Sequence, residues 1–333
     1  MRAKWTYALP YATLLGLLAC ALVGAYLWHI RHAVKDMESA QIFEQGPGSQ
    51  GTTGLKANLR AVRMVVPDRP HDPMDTQSPE GRAKITRRRV FHLSTEAHGF
   101  RGEDDVAAKA SGPRVVIVGD SVALGWGVDD DLALGAQLAE RLGVEVVTSA
   151  APGLDATGLE GWVRRTRQQV GGDLYIIAKG RGSGGQAGWA PFVSAVRAAS
   201  PARAMIALHP VSTFDVRALT EPQAIPADPP APLIDLTPVF DAARRAPGVV
   251  LRVSHDGQAM VDLATGKELA RGRPEQLDKL APEIIAAFEA DDAVSEPLFY
   301  DGGHPDAEGY ALYAQALADF IRDAGLLTLP SGR

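Results

Sequence analysis

Three residues of this chain have the types and the spacing that nucleophilic chemistry requires. Ser121 ends the triplet Gly119-Asp120-Ser121, and far downstream Asp301 and His304 stand together in Asp301-Gly302-Gly303-His304-Pro305. A hydroxyl is a poor nucleophile near neutral pH unless a base touches it. An imidazole base in turn needs a carboxylate to fix its tautomer and stabilise its cation. Taken singly, the three have bland explanations: a capping serine, a surface carboxylate and a loop histidine. Chemistry follows only if the fold joins the two blocks.

The elements that must do so are legible from apolar patterning. Val115 to Val118 form an unbroken β-branched run, as expected of a strand buried on both faces of a parallel sheet. Gly-Asp-Ser then falls at the strand's carboxyl end, the edge at which open α/β sheets bind ligands. Further strands are predicted at 145–148, 174–178, 204–208 and 233–236, and helices at 131–142, 154–170, 192–199 and from 236 to about 245. This alternation predicts a parallel sheet covered on both faces. A last helix is expected to begin at Pro305, with Tyr310, Tyr313, Leu317 and Phe320 on one face and Gly325 at its end. Asp301 and His304 would lie in the loop entering it.

The order Ser121, Asp301, His304, with Asp-x-x-His near the end, resembles the SGNH or GDSL hydrolase superfamily over most of residues 113–325. That resemblance implies a three-layer α/β/α sandwich with a central parallel sheet, of the SGNH or flavodoxin-like kind. It also implies a catalytic triad of Ser121, His304 and Asp301, acting on an acyl or acetyl ester without cofactor or metal. In the family the oxyanion is held by the serine N–H, a glycine of a second block and an asparagine of a third. Ala151-Pro152-Gly153 resembles the second block and assigns Gly153. The third block, normally Gly-x-Asn-Asp, reads Gly180-Arg181-Gly182-Ser183, so the amide donor is missing, and the candidates to replace it are Ser183, Arg181 or the backbone of the glycine-rich loop at Gly182. The departure keeps a second possibility open, a catalytically weak domain that binds a glycan or partner. An O-acetyltransferase with the same triad is a third. Gly180 to Gly185 also fits G-x-G-x-x-G, but it follows the third strand instead of the first, and no acidic residue lies between Leu174 and Phe214 to hold a ribose.

Residues 1–101 carry 14 Lys and Arg against 8 Asp and Glu, which leaves 20 against 32 for the rest. An acidic main domain argues against nucleic acid as substrate, because phosphate binding relies on clustered cations. Trp5 to Ile30 contains no Asp, Glu, Lys or Arg and is long enough to cross a bilayer as a helix, with Trp5, Tyr7, Tyr26 and Trp28 near its ends. The expected organisation is a cytoplasmic tip and transmembrane anchor over 1–35, a flexible spacer over 36–85, and a hydrolase domain over 86–328. Two alternatives for the anchor are a cleaved signal peptide and a lipoprotein acylated at Cys20, the only cysteine. An exported domain on a tether would meet acylated glycans or lipids. Arg89 to Gly102, with its Gly99-Phe100-Arg101-Gly102, resembles a lead-in segment of exported SGNH proteins and is expected to form an edge strand over the sheet through Phe91 and Leu93. Residues 248–265 are expected to form an inserted hairpin with Asp256-Gly257 as its turn, serving as surface decoration or as a lid.

Overall fold

The computed structural model describes residues 42–43, 54–67, 88–103, 106, 112–180, 188–210, 225–243, 251–253, 259–262, 268–271, 298–300 and 303–328. The chain divides into two units, Met1–Ile42 and Phe43–Arg333. Of the first, only Ile42 is among the described residues, so the account that follows concerns the second.

Its centre is a five-stranded parallel sheet. The strands are β3 (Arg114–Gly119), β4 (Glu145–Ala150), β5 (Leu174–Lys179), β6 (Arg203–Leu208) and β7 (Leu233–Asp235), in the spatial order β4-β3-β5-β6-β7. Every residue of β3 and β5 is buried. Val116, Val118, Tyr175, Ile177, Ile206 and Leu208 join one core cluster with Val163 of helix α3 (Leu159–Gln169) and Phe192 of α4 (Ala190–Ala199). The alternate residues Val115, Ile117, Ile176 and Met205 are equally buried. Two covered faces explain why these strands read as continuous apolar runs. Helices α2 (Leu134–Leu142) and α6 (Ala307–Asp323) pack on each other, and α6 also meets α5 (Thr237–Ala243). The mixed α/β architecture with a parallel sheet agrees with the sequence reading.

Several boundaries differ for local reasons. The helix expected over 131–142 starts at Leu134, because Asp130–Leu132 form a 3-10 turn and Ala133 is extended. The helix expected from Leu154 starts at Leu159, since the Asp155 carboxylate takes the Thr157 hydroxyl at 2.7 Å and the Gly158 N–H at 2.8 Å and closes a turn first. Pro305 is not the first residue of the last helix. It pairs across the loop with Phe299, and Asp306 caps α6 by accepting the Gly309 N–H at 2.8 Å. On α6 the buried stripe is Tyr310, Tyr313, Ala314, Leu317 and Ile321, while Phe320 is only half-buried.

Residues 62–67, which the sequence reading places in a spacer, form strand β1 (Val62–Pro67), antiparallel to β2 (Arg88–Leu93). Phe91 and Leu93 are buried as expected, but β2 belongs to this separate two-stranded sheet and not to the edge of the central one. Among the described residues, a bridge from Arg101 to Thr148 on β4 links this segment to the central sheet. The inserted hairpin is a three-stranded antiparallel meander, β8 (Leu251–Val253), β9 (Ala259–Asp262) and β10 (Glu268–Arg271). Its Asp256-Gly257 turn lies outside the described residues. Among the described residues no helix is long and apolar enough to cross a membrane, and Trp5 to Ile30 lies outside them.

Candidate active site

Strand β3 ends in Gly119, and the chain turns directly into a one-turn helix, α1 (Ser121–Leu124). Asp120 is its N-cap, accepting the Val122 N–H at 3.0 Å, which fixes the backbone on either side of Ser121. An open α/β sheet with this strand order has its crevice where neighbouring connections diverge, and β3 has β4 on one side and β5 on the other. Ser121 stands at the carboxyl end of β3, between those two neighbours.

His304 reaches the same place from the other end of the chain. Its Nε2 lies 2.8 Å from the Ser121 Oγ. The loop carrying it is closed by two backbone bonds, Tyr300 N–H to the His304 carbonyl at 3.1 Å and Asp306 N–H to the Leu298 carbonyl at 2.9 Å. Tyr300 stacks on the imidazole at 5.7 Å between centroids and 19° between planes. The Arg89 guanidinium of β2 covers Tyr300 at 4.7 Å, and Gly127 packs so closely on that ring that a Cβ there would lie 2.1 Å from it. With the serine proton on Oγ and Nε2 unprotonated, the pair is set for proton transfer from hydroxyl to imidazole. The structure therefore brings Ser121 and His304 together. Asp301, Gly182 and Ser183 lie outside the described residues. Gly153 is exposed in the turn after β4, with φ of +76° and no atom within 4 Å of where a Cβ would be. It is the left-handed backbone, and not lack of space, that calls for glycine here.

Beside Ser121 lies a buried polar row that sequence reading does not anticipate. Lys179, the last residue of β5, donates to the Asp120 Oδ2 at 2.6 Å. His209, just beyond β6, meets the Asp120 Oδ1 through Nε2 at 3.0 Å and the Tyr313 hydroxyl through Nδ1 at 2.9 Å. Burial alone would push the Asp120 carboxyl up, but His209 and Lys179 reverse this and hold it far below the usual carboxylate range. Burial, reinforced by Asp120, raises the Tyr313 phenol well above its ordinary value, so it stays a neutral hydroxyl. A signal for this row does exist in the sequence: Lys179 and His209 are polar residues that stop apolar strand runs at the carboxyl edge of the sheet.

Arg101 is the other residue whose importance exceeds its sequence signal. Fully buried, it donates from Nε to Asp130 at 2.8 Å and from its terminal nitrogens to the carbonyls of Leu124, Gly125 and Val128. It thus fastens the loop that follows α1 and carries Gly127. Asp129 and Asp130 also accept the N–H groups of His92 and Ser94, tying β2 to the same loop. Among the described residues no cluster of His, Cys, Asp and Glu could hold a metal ion.

No protein-family model and no curated protein sequence matches the chain. Solved structures do. One is a possible lipase from Chitinophaga pinensis, 18% identical, with 64% of this chain and 99% of that one covered and a TM-score of 0.38. Another is a protein assigned to the lipolytic G-D-S-L family from Desulfitobacterium hafniense, 16% identical, covering 62% and 98% with a TM-score of 0.36. A third is the salicylyl-acyltransferase SsfX3 of a tetracycline biosynthetic pathway, 17% identical, covering 72% of this chain and 61% of that one with a TM-score of 0.36.

Proposed function

We propose that the chain is a serine-dependent acyl-ester enzyme of the SGNH or GDSL type. The observation that carries the reading is the 2.8 Å approach of His304 Nε2 to Ser121 Oγ, made by residues from opposite ends of the domain. In the proposed reaction Ser121 Oγ attacks the ester carbonyl carbon while its proton passes to His304 Nε2. The tetrahedral intermediate collapses, the C–O bond to the leaving alcohol breaks, and His304 returns the proton to that alcohol. Water or an acceptor hydroxyl then attacks the acyl-enzyme with His304 as base, so hydrolysis and acyl transfer differ only in the second nucleophile. Asp301 orients the imidazole, and the N–H groups of Ser121 and Gly153 stabilise the oxyanion, with Gly182 or Ser183 as candidates for the third donor. An acylated extracytoplasmic polysaccharide or lipid is the proposed substrate class, reached from a membrane anchor over Trp5 to Ile30.

The test is covalent labelling by a serine-directed fluorophosphonate, together with hydrolysis of short-chain aryl esters. The full chain is the right material, because β1 pairs with β2 and a fragment beginning near residue 85 would lose it. Labelling of wild type, lost in Ser121→Ala and strongly slowed in His304→Ala, supports the reading. A folded wild type that neither labels nor hydrolyses an ester overturns it in favour of a binding role.

A further inference from the structure

We infer that Lys179 is the counter-charge that lets an ionised Asp120 stand beside the nucleophile, and that it acts through Asp120 and not on the substrate. The inference deepens the acyl-transfer reading and rests on it for its kinetic arm. Asp120 caps α1 with its carboxylate, and that charge sits one residue from Ser121. An alkoxide or tetrahedral oxyanion forming at Ser121 would be repelled by it. Two polar side chains besides Lys179 face the row. Tyr313, held as a phenol by burial, has its hydroxyl 2.9 Å from His209 Nδ1, and His209 Nε2 faces the Asp120 Oδ1 at 3.0 Å, where a carboxylate can only accept. His209 adds its hydrogen bond on the other carboxylate oxygen, and Lys179, whose side chain is 9% exposed and 2.6 Å from Asp120, brings a full positive charge into contact with it. The ammonium also helps to lower the Asp155 carboxyl in the turn after β4, behind the hydrogen bonds of Thr157 and Gly158.

The experiment uses the full chain and three variants, Lys179→Met, Asp120→Asn and the double variant, with Lys179→Arg as the charge-retaining control. His304 is followed through its ring-proton NMR titration, and the rate of fluorophosphonate labelling is measured at pH 7.5. An uncancelled charge on the order of 6 Å from a developing oxyanion, at an effective dielectric constant of about 20, slows its formation by about 10²-fold. K179M is expected to label about 30- to 100-fold more slowly and to move the His304 midpoint up by about one pH unit. D120N is expected to move that midpoint down, and the double variant to return both readouts most of the way to wild type. Lys179→Arg stays near wild type. A merely structural role gives losses of the same sign in both single variants and no recovery in the double, and that result overturns the inference. So does a His304 midpoint that is unmoved in K179M. If K179M does not fold, the direction of the midpoint in D120N decides. If wild type fails to label, the acyl-transfer reading falls, while the titrations still decide the counter-charge.

Discussion

Replacing Arg101 by Met keeps most of the side chain's buried length and removes all its donors. The carbonyls of Leu124, Gly125 and Val128 then lose the guanidinium, as does the Asp130 carboxylate. Asp130 retains the Ser94 N–H and 27% side-chain exposure, so water offsets part of its loss. Gly125 keeps a long bond from Val128 N–H at 3.5 Å. That leaves two carbonyls fully orphaned and one partly, at about 1–3 kcal/mol for each buried group left unsatisfied. A loss of about 4 kcal/mol is expected, equivalent to a fall of roughly 8–15 °C in Tm for a domain of this size. Burial lowers the Arg101 pKa and Asp130 offsets it, so the charge itself is not an added source of stability. Arg101→Lys restores one ammonium that cannot reach three carbonyls and a carboxylate together, and should recover less than half of the loss. Thermal melting followed by near-UV circular dichroism measures the stability, and fluorophosphonate labelling at 20 °C measures the site. Labelling should slow in R101M even where the protein is folded, because the loop holds Gly127 against Tyr300 and Tyr300 lies on His304. An R101M protein whose Tm falls by less than about 3 °C would show that water replaces the guanidinium and would refute the reasoning.

Gly127→Ala places a methyl 2.1 Å from the Tyr300 ring at a φ of +91°, so left-handed strain of ~1–2 kcal/mol and overpacking of ~1–3 kcal/mol should combine. The expected outcome is a lower Tm together with slower labelling, and unchanged values of both would contradict the contact. Gly119→Ala drives a Cβ to 2.2 Å from the Ala178 carbonyl of the adjacent strand, and should cost more than about 3 kcal/mol in chemical denaturation, since backbone cannot step aside as a side chain can. Asp120→Asn should lower stability with a pH dependence of definite sign. The folded carboxyl titrates below its unfolded value, so its contribution is fully present above pH ~4 and is lost as pH falls through the acid range. The gap between wild type and D120N in urea denaturation should be constant from pH 5 to 8 and close below pH 4; a gap that widens on acidification would be the wrong sign.

How much of this was legible beforehand depends on the range of the interaction. The strands of the central sheet are apolar runs whose patterning is local, and β3, β5 and β6 appear within a residue or two of their expected bounds. Ser121 and His304 were found because two short motifs in the right order resemble a superfamily that pairs them. What escaped was set by contacts between distant segments. Strand β1 contains Pro67 and is followed by a proline-rich stretch, so its local signal is that of a spacer, and only its pairing with β2 makes it a strand. The helix start at Leu159 was displaced by a turn whose side-chain bonds compete with helical ones, and that at Leu134 by a 3-10 turn followed by an extended Ala133. Arg101 sits in a four-residue motif with no periodicity, and nothing local says that its partners are carbonyls more than twenty residues away.

Lys179 and His209 show why strand order, and not strand identity, limited the reading of the site. In sequence the strand after β3 is β4, and a reader placing strands in chain order would put β4 between β3 and β5. The observed order puts β4 on the far side, so β3 pairs with β5 directly and Gly119 lies opposite Ala178. The next residues, Asp120 and Lys179, are then neighbours at the same height, and β6 brings His209 alongside through its N–H to the Lys179 carbonyl at 3.0 Å. A parallel sheet delivers three strand ends to one edge. Each ends in an ionisable residue that makes an unremarkable turn by itself and a buried charged row in company. The same arrangement explains how the two halves of the site keep their spacing. Tyr313 belongs to α6, whose entry loop bears His304, and Asp120 caps α1, which begins with Ser121. The Tyr313–His209–Asp120 bonds therefore form a second bridge between the Ser121 and His304 segments, inside the fold and parallel to their direct contact. Tyr313→Phe removes one hydroxyl from that bridge without changing charge. It should leave the His304 titration near its wild-type midpoint and slow labelling, whereas Lys179→Met moves both; identical behaviour of the two variants would mean that spacing and charge are not separable here.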